Sequence, residues 1–507
     1  MASGAIIIKK IKKRGDVMGE EKKNPFKAIG SGIANFFKAI GRYFADFGKA
    51  VVKGDAGVKC SLLFMGAGYT FKGQWLKGIV VTLIEIAFII MCIFYAAPNL
   101  AKFGTLGTVQ REAVFDPVTM QQTVNDYDNS FLILLNSIIA LFIIVCFILF
   151  YIYNIKACYE LQKQKEFGQH VETNKENVKS IVGGKFHITL LSLPTLGIIL
   201  MNVIPIFVLI AIAFTNYDQN HMPPNMLLDW VGFSNFKKLF TEGMGNYFGY
   251  AFKKILGWTL TWAILATLTT FIGGILLAML INKRTTKLPK MWRSLFIVAI
   301  AVPQFVTLLL VRNFFGDQGI VNTICSDIGL TGWLKSIGLV SAHLNYIPFL
   351  TNPHWAKFMI VIINIWVGIP YQMLIATGVL MNIPTDQLEA ARIDGASKWK
   401  IFWKITMPYI LFIQGPALIT DFVKNINNFN VIYLLTQDVY ITPDQALANA
   451  NAKEVDLLVT WLFRLTNEYY NYKMASVIGI IVFIICAVFT IISFSKLIAG
   501  DREEEYQ

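Results

Sequence analysis

Charged residues are scarce in this chain of 507 residues: Asp, Glu, Lys and Arg together make up 15%, against about 25% in soluble globular proteins. Hydrophobic residues take 55%. A water-soluble fold of this length has too little interior for so much apolar surface, which excludes three ordinary soluble domains and makes lipid the solvent. Acid is the scarcer sign, with 32 Asp and Glu against 45 Lys and Arg. The resulting charge of +13 could hint at nucleic acid, but a membrane chain carries such an excess in its cytoplasmic loops, so no nucleic-acid partner is expected. Cysteine is thin. Cys92, Cys146 and Cys486 lie in apolar runs, Cys60, Cys158 and Cys325 lie elsewhere, and no C-x-x-C occurs. That argues against a disulfide framework and against a zinc site.

Catalytic motifs are missing too. A phosphate-binding loop needs G-x-x-x-x-G-K-[ST], because backbone N–H groups and the lysine must cradle phosphates. The nearest approach, Gly183-Gly184-Lys185, is followed by Phe186 and has Lys179 where the first glycine belongs. There is no H-E-x-x-H and no G-x-S-x-G, and His170, His187, His221, His343 and His354 are scattered. The expectation is a chain that is not an enzyme and binds no cofactor or metal. Uphill movement of a solute would then draw on a partner or an ion gradient. An ion-coupled carrier would want midplane carboxylates and an inverted repeat; Glu85 and Asp421 are the residues that come close.

Long apolar runs are what the chain does have. A bilayer-crossing helix needs about 20 mostly apolar residues, and eight segments qualify: 79–98, 131–153, 188–214, 255–281, 294–314, 358–381, 409–424 and 474–495. Gly415-Pro416 is expected to break the seventh, which could run on toward Leu435. Alternate connecting segments and the two ends hold 32 of the 45 Lys and Arg. The asymmetry predicts an all-α polytopic membrane protein with about eight transmembrane helices, N-in and C-in. The apolar stretch at residues 5–8 is too short for a cleavable signal.

Residues 1–78 then form a basic cytoplasmic region, and residues 499–507 a cytoplasmic tail. From Asn24 onward, Phe26, Ile29, Ile33, Phe36, Phe37, Ile40, Phe44, Phe47 and Val51 fall within an arc of about 100°, with Lys27, Lys38, Arg42, Lys49 and Lys53 on another face. Such a helix lies in the membrane interface or packs on the cytoplasmic ends of the spans.

The loop between the sixth and seventh segments, residues 383–408, reads IPTDQLEAARIDGASKWKIFWKITMP. Pro384 and Thr385 start a short helix, Gly395 permits a turn with positive φ, and a second helix over 397–405 carries Trp399, Phe402 and Trp403. These aromatics serve either as a docking knob or as packing against the membrane face.

Glu389, Ala390, Ala391, Gly395, Ile405 and Pro408 stand at the spacing E-A-A-x3-G-x9-I-x-L-P, with Met407 where leucine is usual. This pattern resembles the loop signature of binding-protein-dependent ABC importer permeases. The run Ile393-Asp394-Gly395-Ala396 resembles the carbohydrate-uptake branch, in particular the larger permease subunit of maltose/maltodextrin importers. Asn364–Tyr371 and Asn425–Thr436 are similar to the sixth and seventh spans of those permeases. The resemblance covers about 188–498. It implies a six-helix ABC type I importer permease core there, two accessory helices and a linker over 79–187, and a coupling loop at 385–408.

Further expectations come with the resemblance. The cargo would be an oligosaccharide held by Ile300, Gln304, Asn364, Val367, Gly368, Lys424, Asn425 and Asn428. The coupling contacts would be Glu389, Ala390, Ala391, Asp394, Gly395, Ile405 and Pro408. Implied partners are a second homologous permease in a heterodimer, a cytoplasmic ABC ATPase dimer that carries the ATP-Mg, and an extracellular sugar-binding lipoprotein, all at a bacterial cell membrane. Asn and Gln amides can donate to and accept from sugar hydroxyls, or they can bond neighbouring helices. Lys424 replaces a phenylalanine of the family pattern and Ile300 replaces an aromatic; Asp421, three residues before Lys424, could pair with it on one helix face. The outer segment 215–254 is short, which leaves 316–354 and 425–473 to grip the binding protein.

Overall fold

The computed structural model describes residues 25–499 apart from 117–120, 244, 284 and 438; the first basic cluster and the tail from residue 500 lie outside the described residues. Helix dominates the described residues, and the sheet is a single antiparallel hairpin, β1 (Ala113–Asp116) and β2 (Gln121–Val124), which the sequence reading did not anticipate. The chain divides after Gly232 into two compact units.

The first unit holds α1 (Pro25–Lys53), α2 (Ala56–Cys60), α3 (Ala67–Thr70), α4 (Trp75–Phe103), α5 (Ser130–Glu166), α6 (Asn174–Val182) and α7 (Phe186–Ile212). The C-terminal part of the amphipathic α1 packs on protein; the side chains of Phe26, Ile29, Ile33 and Phe36 lie outside the described residues. Ala50 is fully buried, and Phe47 and Val51 join a core with Met65, Tyr69, Ile155 and Cys158. The Tyr43 hydroxyl donates to the Leu149 carbonyl at 3.4 Å, and the Lys156 ammonium sits 3.9 Å from the Tyr43 ring centre. Phe37 and Phe44 stay exposed, at 64% and 51%. The partner helix can receive α1 because it is long. At 37 residues and about 1.5 Å per residue, α5 outruns a hydrocarbon core of about 30 Å. Glu85, a carboxylate inside α4, accepts the Met65 N–H at 2.8 Å and so serves local structure.

The second unit holds α8 (Ser234–Phe240), α9 (Phe248–Ile281), α10 (Pro289–Ala301), α11 (Gln304–Phe314), α12 (Ile320–Asp327), α13 (Leu330–Ser336), α14 (Pro353–Met381), α15 (Thr385–Ile393), α16 (398–426), α17 (Phe429–Thr436), α18 (Gln445–Asn449), α19 (Leu458–Asn467) and α20 (Tyr472–Ala499). Glycine lets α9 and α14 approach closely. A Cβ on Gly274 would lie 2.4 Å from Gln372 Cβ, and one on Gly273 would lie 2.5 Å from Ile369 Cδ1.

Two sequence expectations are corrected. Seven helices among the described residues are long and apolar enough to cross a membrane, not eight. The predicted span 294–314 is two helices, α10 and α11, separated at Val302-Pro303. Val302 is extended, with ψ 128°. The ring of Pro303 disfavours the helical conformation before it and removes a ladder N–H. Conversely, Gly415-Pro416 does not break the seventh span. α16 runs through Pro416 and stops at Asn427, and α17 continues to Thr436.

Three π-helical turns, Cys92–Ala96, Ile199–Val203 and Phe402–Thr406, each end two residues before a proline, namely Pro98, Pro205 and Pro408. A proline has no N–H and collides with the carbonyl four residues earlier. Widening the preceding turn by one residue carries the helix past that collision. Phe402–Thr406 matters most here, because it fuses the predicted second helix of the 383–408 loop to the seventh span.

The outer segments 316–354 and 425–473 are not bare loops. They contribute Leu334, Ile347, Leu350 and Val455 to a core shared with Trp262 and Ile360. Glu454 organises one part of them, accepting from the Tyr440 hydroxyl at 2.8 Å, the Asp444 N–H at 3.1 Å and the Thr442 hydroxyl. Asp444 accepts from Lys254 at 2.6 Å and Tyr250 at 2.8 Å. Burial pushes its carboxyl up, but hydrogen bonds from Lys254, Tyr250 and the Leu447 N–H outweigh burial and hold it at about 2.

Candidate functional site

A cavity of about 510 Å³ opens in the second unit, walled by α9, the α10–α11 junction, α14 and the α16–α17 junction. Ile300, Gln304, Asn364, Val367, Gly368, Lys424, Asn425 and Asn428 all line it. Three separate interruptions of regular helix or of side-chain bulk make the space: the Val302-Pro303 break, the Asn427-Asn428 break and the small residue at 368.

Its polar groups differ in how far they are already satisfied. Asn364 is 7% exposed, yet its side chain has no hydrogen-bond partner among the described residues. Gln304, at the first position of α11, is likewise without one among them. The Asn364 amide is not among the fully buried unpaired groups, so it opens on the cavity with its donors and acceptor uncommitted, and a ligand hydroxyl can pair with it. The α11 N-terminus adds partial positive charge beside Gln304.

Asn425 is engaged within the protein, its side-chain amide donating to Thr267 Oγ1 at 2.9 Å while its backbone carbonyl accepts the Trp262 indole N–H at 3.1 Å. Asn428 caps α17 by accepting the Val431 N–H at 3.3 Å, and it donates to Asn425 Oδ1 at 3.4 Å. The helix-bonding reading therefore describes much of Asn425 and Asn428. Gly368 has more than one reason to be small. A Cβ there would lie 2.6 Å from Thr270 Cγ2, so its smallness serves helix packing as well as the cavity.

The expected Asp421–Lys424 pair does not form. Asp421 accepts a 2.6 Å hydrogen bond from Gln372 on α14, which reaches it across the helix contact. Lys424 lines the cavity with no ion pair among the described residues. Sequence reasoning missed Thr270, Thr307, Trp366, Tyr371, Gln372 and Asn430 in the wall. Helical spacing could have found two of these, because residues 364, 367, 368, 371 and 372 share one face of α14. Amides, hydroxyls and aromatic rings around a cavity of this size suit a polyhydroxylated ligand whose rings offer both polar edges and apolar faces.

The 385–408 segment has a well-defined shape. α15 ends in a paired-bond cap: the Gly395 N–H donates to the Arg392 carbonyl at 3.1 Å and the Ala396 N–H to the Ala391 carbonyl at 2.9 Å. Gly395 has φ +75°, as the sequence reading expected. Ser397 starts the next helix by accepting the Lys400 N–H at 3.2 Å. Glu389, Ala390, Asp394 and Gly395 are exposed, Ala391, Ile405 and Pro408 half-buried. The aromatics do not act alike. Phe402 packs against the core of Phe271, Met373 and Ile410, whereas Trp399 and Trp403 are 70% and 48% exposed and touch edge to face, with ring centres 5.6 Å apart.

Residues 270–499 match the family model described as "Binding-protein-dependent transport system inner membrane component". Over 442 residues the chain is 32% identical to the maltodextrin transport system permease protein MalC of Streptococcus pneumoniae, covering 87% of this chain and 95% of that one. The galactooligosaccharides transport system permease protein GanP of Bacillus subtilis is 33% identical, over 82% of this chain and 91% of its own. MalF of Escherichia coli, a maltose/maltodextrin transport system permease protein, is 30% identical over 55% of this chain and 51% of its own. A multi-pass membrane fold and two relatives, MalC and GanP, matched over nearly their whole length lead to one conclusion: the chain belongs to the binding-protein-dependent transport system inner membrane components, as a permease.

Proposed function

We propose that this permease carries an oligosaccharide of the maltodextrin type through the α9–α17 cavity, as part of an ATP-driven importer. The observation that supports this most is the convergence of all eight nominated positions on one cavity, with the Asn364 amide uncommitted in its wall. The relatives' names speak for maltodextrin or galactooligosaccharide cargo. In this reading an extracellular sugar-binding lipoprotein delivers the sugar, and a second homologous permease supplies the rest of the pathway in a heterodimer. A cytoplasmic ATPase dimer drives alternating access through the 385–408 segment. The chain itself hydrolyses no ATP and binds no cofactor, ATP-Mg being held on the ATPase. Trp399, Trp403 and the exposed acidic and small residues of α15 suit a docking knob.

The test is uptake in cells that express the permease with its operon partners, using labelled malto-oligosaccharides with galacto-oligosaccharides as competitors. Uptake should vanish on ATP depletion and withstand a proton uncoupler. Uptake that collapses with the uncoupler while ATP is maintained would assign the chain to an ion-coupled carrier. Cross-linking in the same cells should recover a pair with the second permease; recovery of self-pairs alone would overturn the heterodimer.

A further inference from the structure

We propose that the first unit carries a site for an anionic glycerophospholipid at the start of α4, with one acyl chain held in a groove and the phosphate held by lysines beside it. The groove, about 550 Å³, runs between Cys60, Phe64 and Thr70 on one side and Gly78, Thr82 and Leu83 on the other. Its floor is a backbone crossing too close for any side chain. A Cβ on Gly66 would lie 2.0 Å from the Gly78 carbonyl oxygen, and one on Gly78 would lie 2.3 Å from Thr70 Oγ1.

The wall chemistry selects an apolar occupant. The two wall hydroxyls are turned back on their own chain segments, Thr70 donating to the Gly66 carbonyl at 3.1 Å and Thr82 to the Gly78 carbonyl at 3.0 Å. These hydroxyls offer a polar ligand no free O–H donor, and an acyl chain needs none. The rim is apolar and open: Phe64, Phe71 and Leu83 are 65%, 67% and 59% exposed. Because Leu83 belongs to a membrane-spanning helix, the medium that covers this rim is lipid.

Charge selects the headgroup. Lys72 is already neutralised by Asp55 at 3.2 Å, and the Lys77 ammonium sits 4.1 Å from the Tyr69 ring centre. Lys59, next in the chain to Cys60, and Lys53 at the end of α1 are exposed and form no ion pair among the described residues. Two uncompensated cations in the segment that leads into Cys60 of the groove wall complement a phosphate attached to a hydrocarbon chain.

The experiment reconstitutes the full chain in nanodiscs that contain phosphatidylglycerol or phosphatidylcholine with a photoactivatable group on the acyl chain, and maps the cross-links by mass spectrometry. Labelling of residues 60–83 should exceed that of the other lipid-facing helices, and the phosphatidylglycerol probe should label them about fivefold more than the phosphatidylcholine probe. Lys53→Gln with Lys59→Gln, both at exposed positions, should erase the difference between the lipids, and Thr82→Phe should fill the groove and remove the excess labelling. Equal labelling by the two lipids, or labels spread along all lipid-facing helices, overturns the site. Lysine variants that keep the full phosphatidylglycerol preference overturn the headgroup assignment.

Discussion

The Gln372 amide donates to the Asp421 carboxylate at 2.6 Å and ties α14 to α16 in the cavity wall. This bond replaces the Asp421–Lys424 contact that sequence spacing suggested, and it leaves the lysine at the cavity surface. Removing the donor should leave the half-buried carboxylate without this partner in the cavity wall. Gln372→Leu is expected to destabilise the purified chain by about 1–3 kcal/mol and to lower uptake, whereas Asp421→Asn, which keeps a hydrogen-bonding partner, should stay near wild-type stability. Thermal unfolding in detergent checks both; a Gln372→Leu melting curve that overlays the wild type would dismiss the bond.

Asn364 and Asn428 should separate in their behaviour. Asn364→Leu removes an amide that no described residue uses, so uptake should fall about 5- to 150-fold, the equivalent of about 1–3 kcal/mol, at unchanged membrane level. Asn428→Leu also loses the α17 cap, worth about 1 kcal/mol, and should lower stability together with uptake. Asn428→Asp keeps the capping oxygen and should recover the stability. Transport assays paired with membrane quantification distinguish these outcomes, and undiminished uptake by Asn364→Leu would remove that residue from the pathway.

Gly395 tests the coupling segment. With φ +75° and no atom within 4 Å of a Cβ placed there, a substitution meets no clash inside the chain and acts through the backbone, by about 1–2 kcal/mol. Gly395→Val and Gly395→Pro should abolish uptake and weaken co-purification of the ATPase, while the spans still insert. Glu389→Lys should do the same more mildly. Normal transport by Gly395→Pro with full ATPase recruitment would show that coupling runs elsewhere.

The two parts of α1 should respond to different partners. A peptide of residues 24–53 is expected to turn helical on anionic vesicles and to stay largely disordered in plain buffer. In the full chain, Phe47→Ala should lower stability by about 1–3 kcal/mol, since Phe47 packs with Tyr151 at a ring-centre distance of 6.5 Å. Phe44→Ser should leave stability unchanged and weaken vesicle binding of the peptide. Circular dichroism and thermal melts read the two effects; equal destabilisation by both changes would place the whole helix on protein.

Legibility followed the kind of interaction involved. Apolar runs locate helices wherever lipid is the solvent, so seven spans were readable from composition alone, and so was the turn at Gly395. The Val302-Pro303 break was not, because both residues sit in an unbroken apolar run and hydropathy does not register a missing N–H. Pro416 misled in the opposite direction, since a helix can absorb one lost hydrogen bond when neighbours pack it on several sides. The β1–β2 hairpin is four residues a side and too short for its alternation to stand out. In the site, motif spacing reached the residues on α14 and α16, while Gln372 acts through a partner 49 positions away, a relation that no local pattern carries.

The interruption between α10 and α11 has a mechanical consequence. A continuous helix resists bending because every turn is tied to the next, and at Val302-Pro303 that tie is absent. Phe296 of α10 belongs to the core that includes Phe402 and Ile410, at the end of α16 nearest the 385–408 segment. Leu308 and Val311 of α11 belong to a different core, the one built around Val431, Ile432 and the outer segments. The junction thus lies between helices seated in two different cores, which α9 and α14 connect, with Ile300 and Gln304 on either side of it. A turn of α11 relative to α10 would change the distance between these two cavity residues without breaking a helical hydrogen bond across Val302-Pro303.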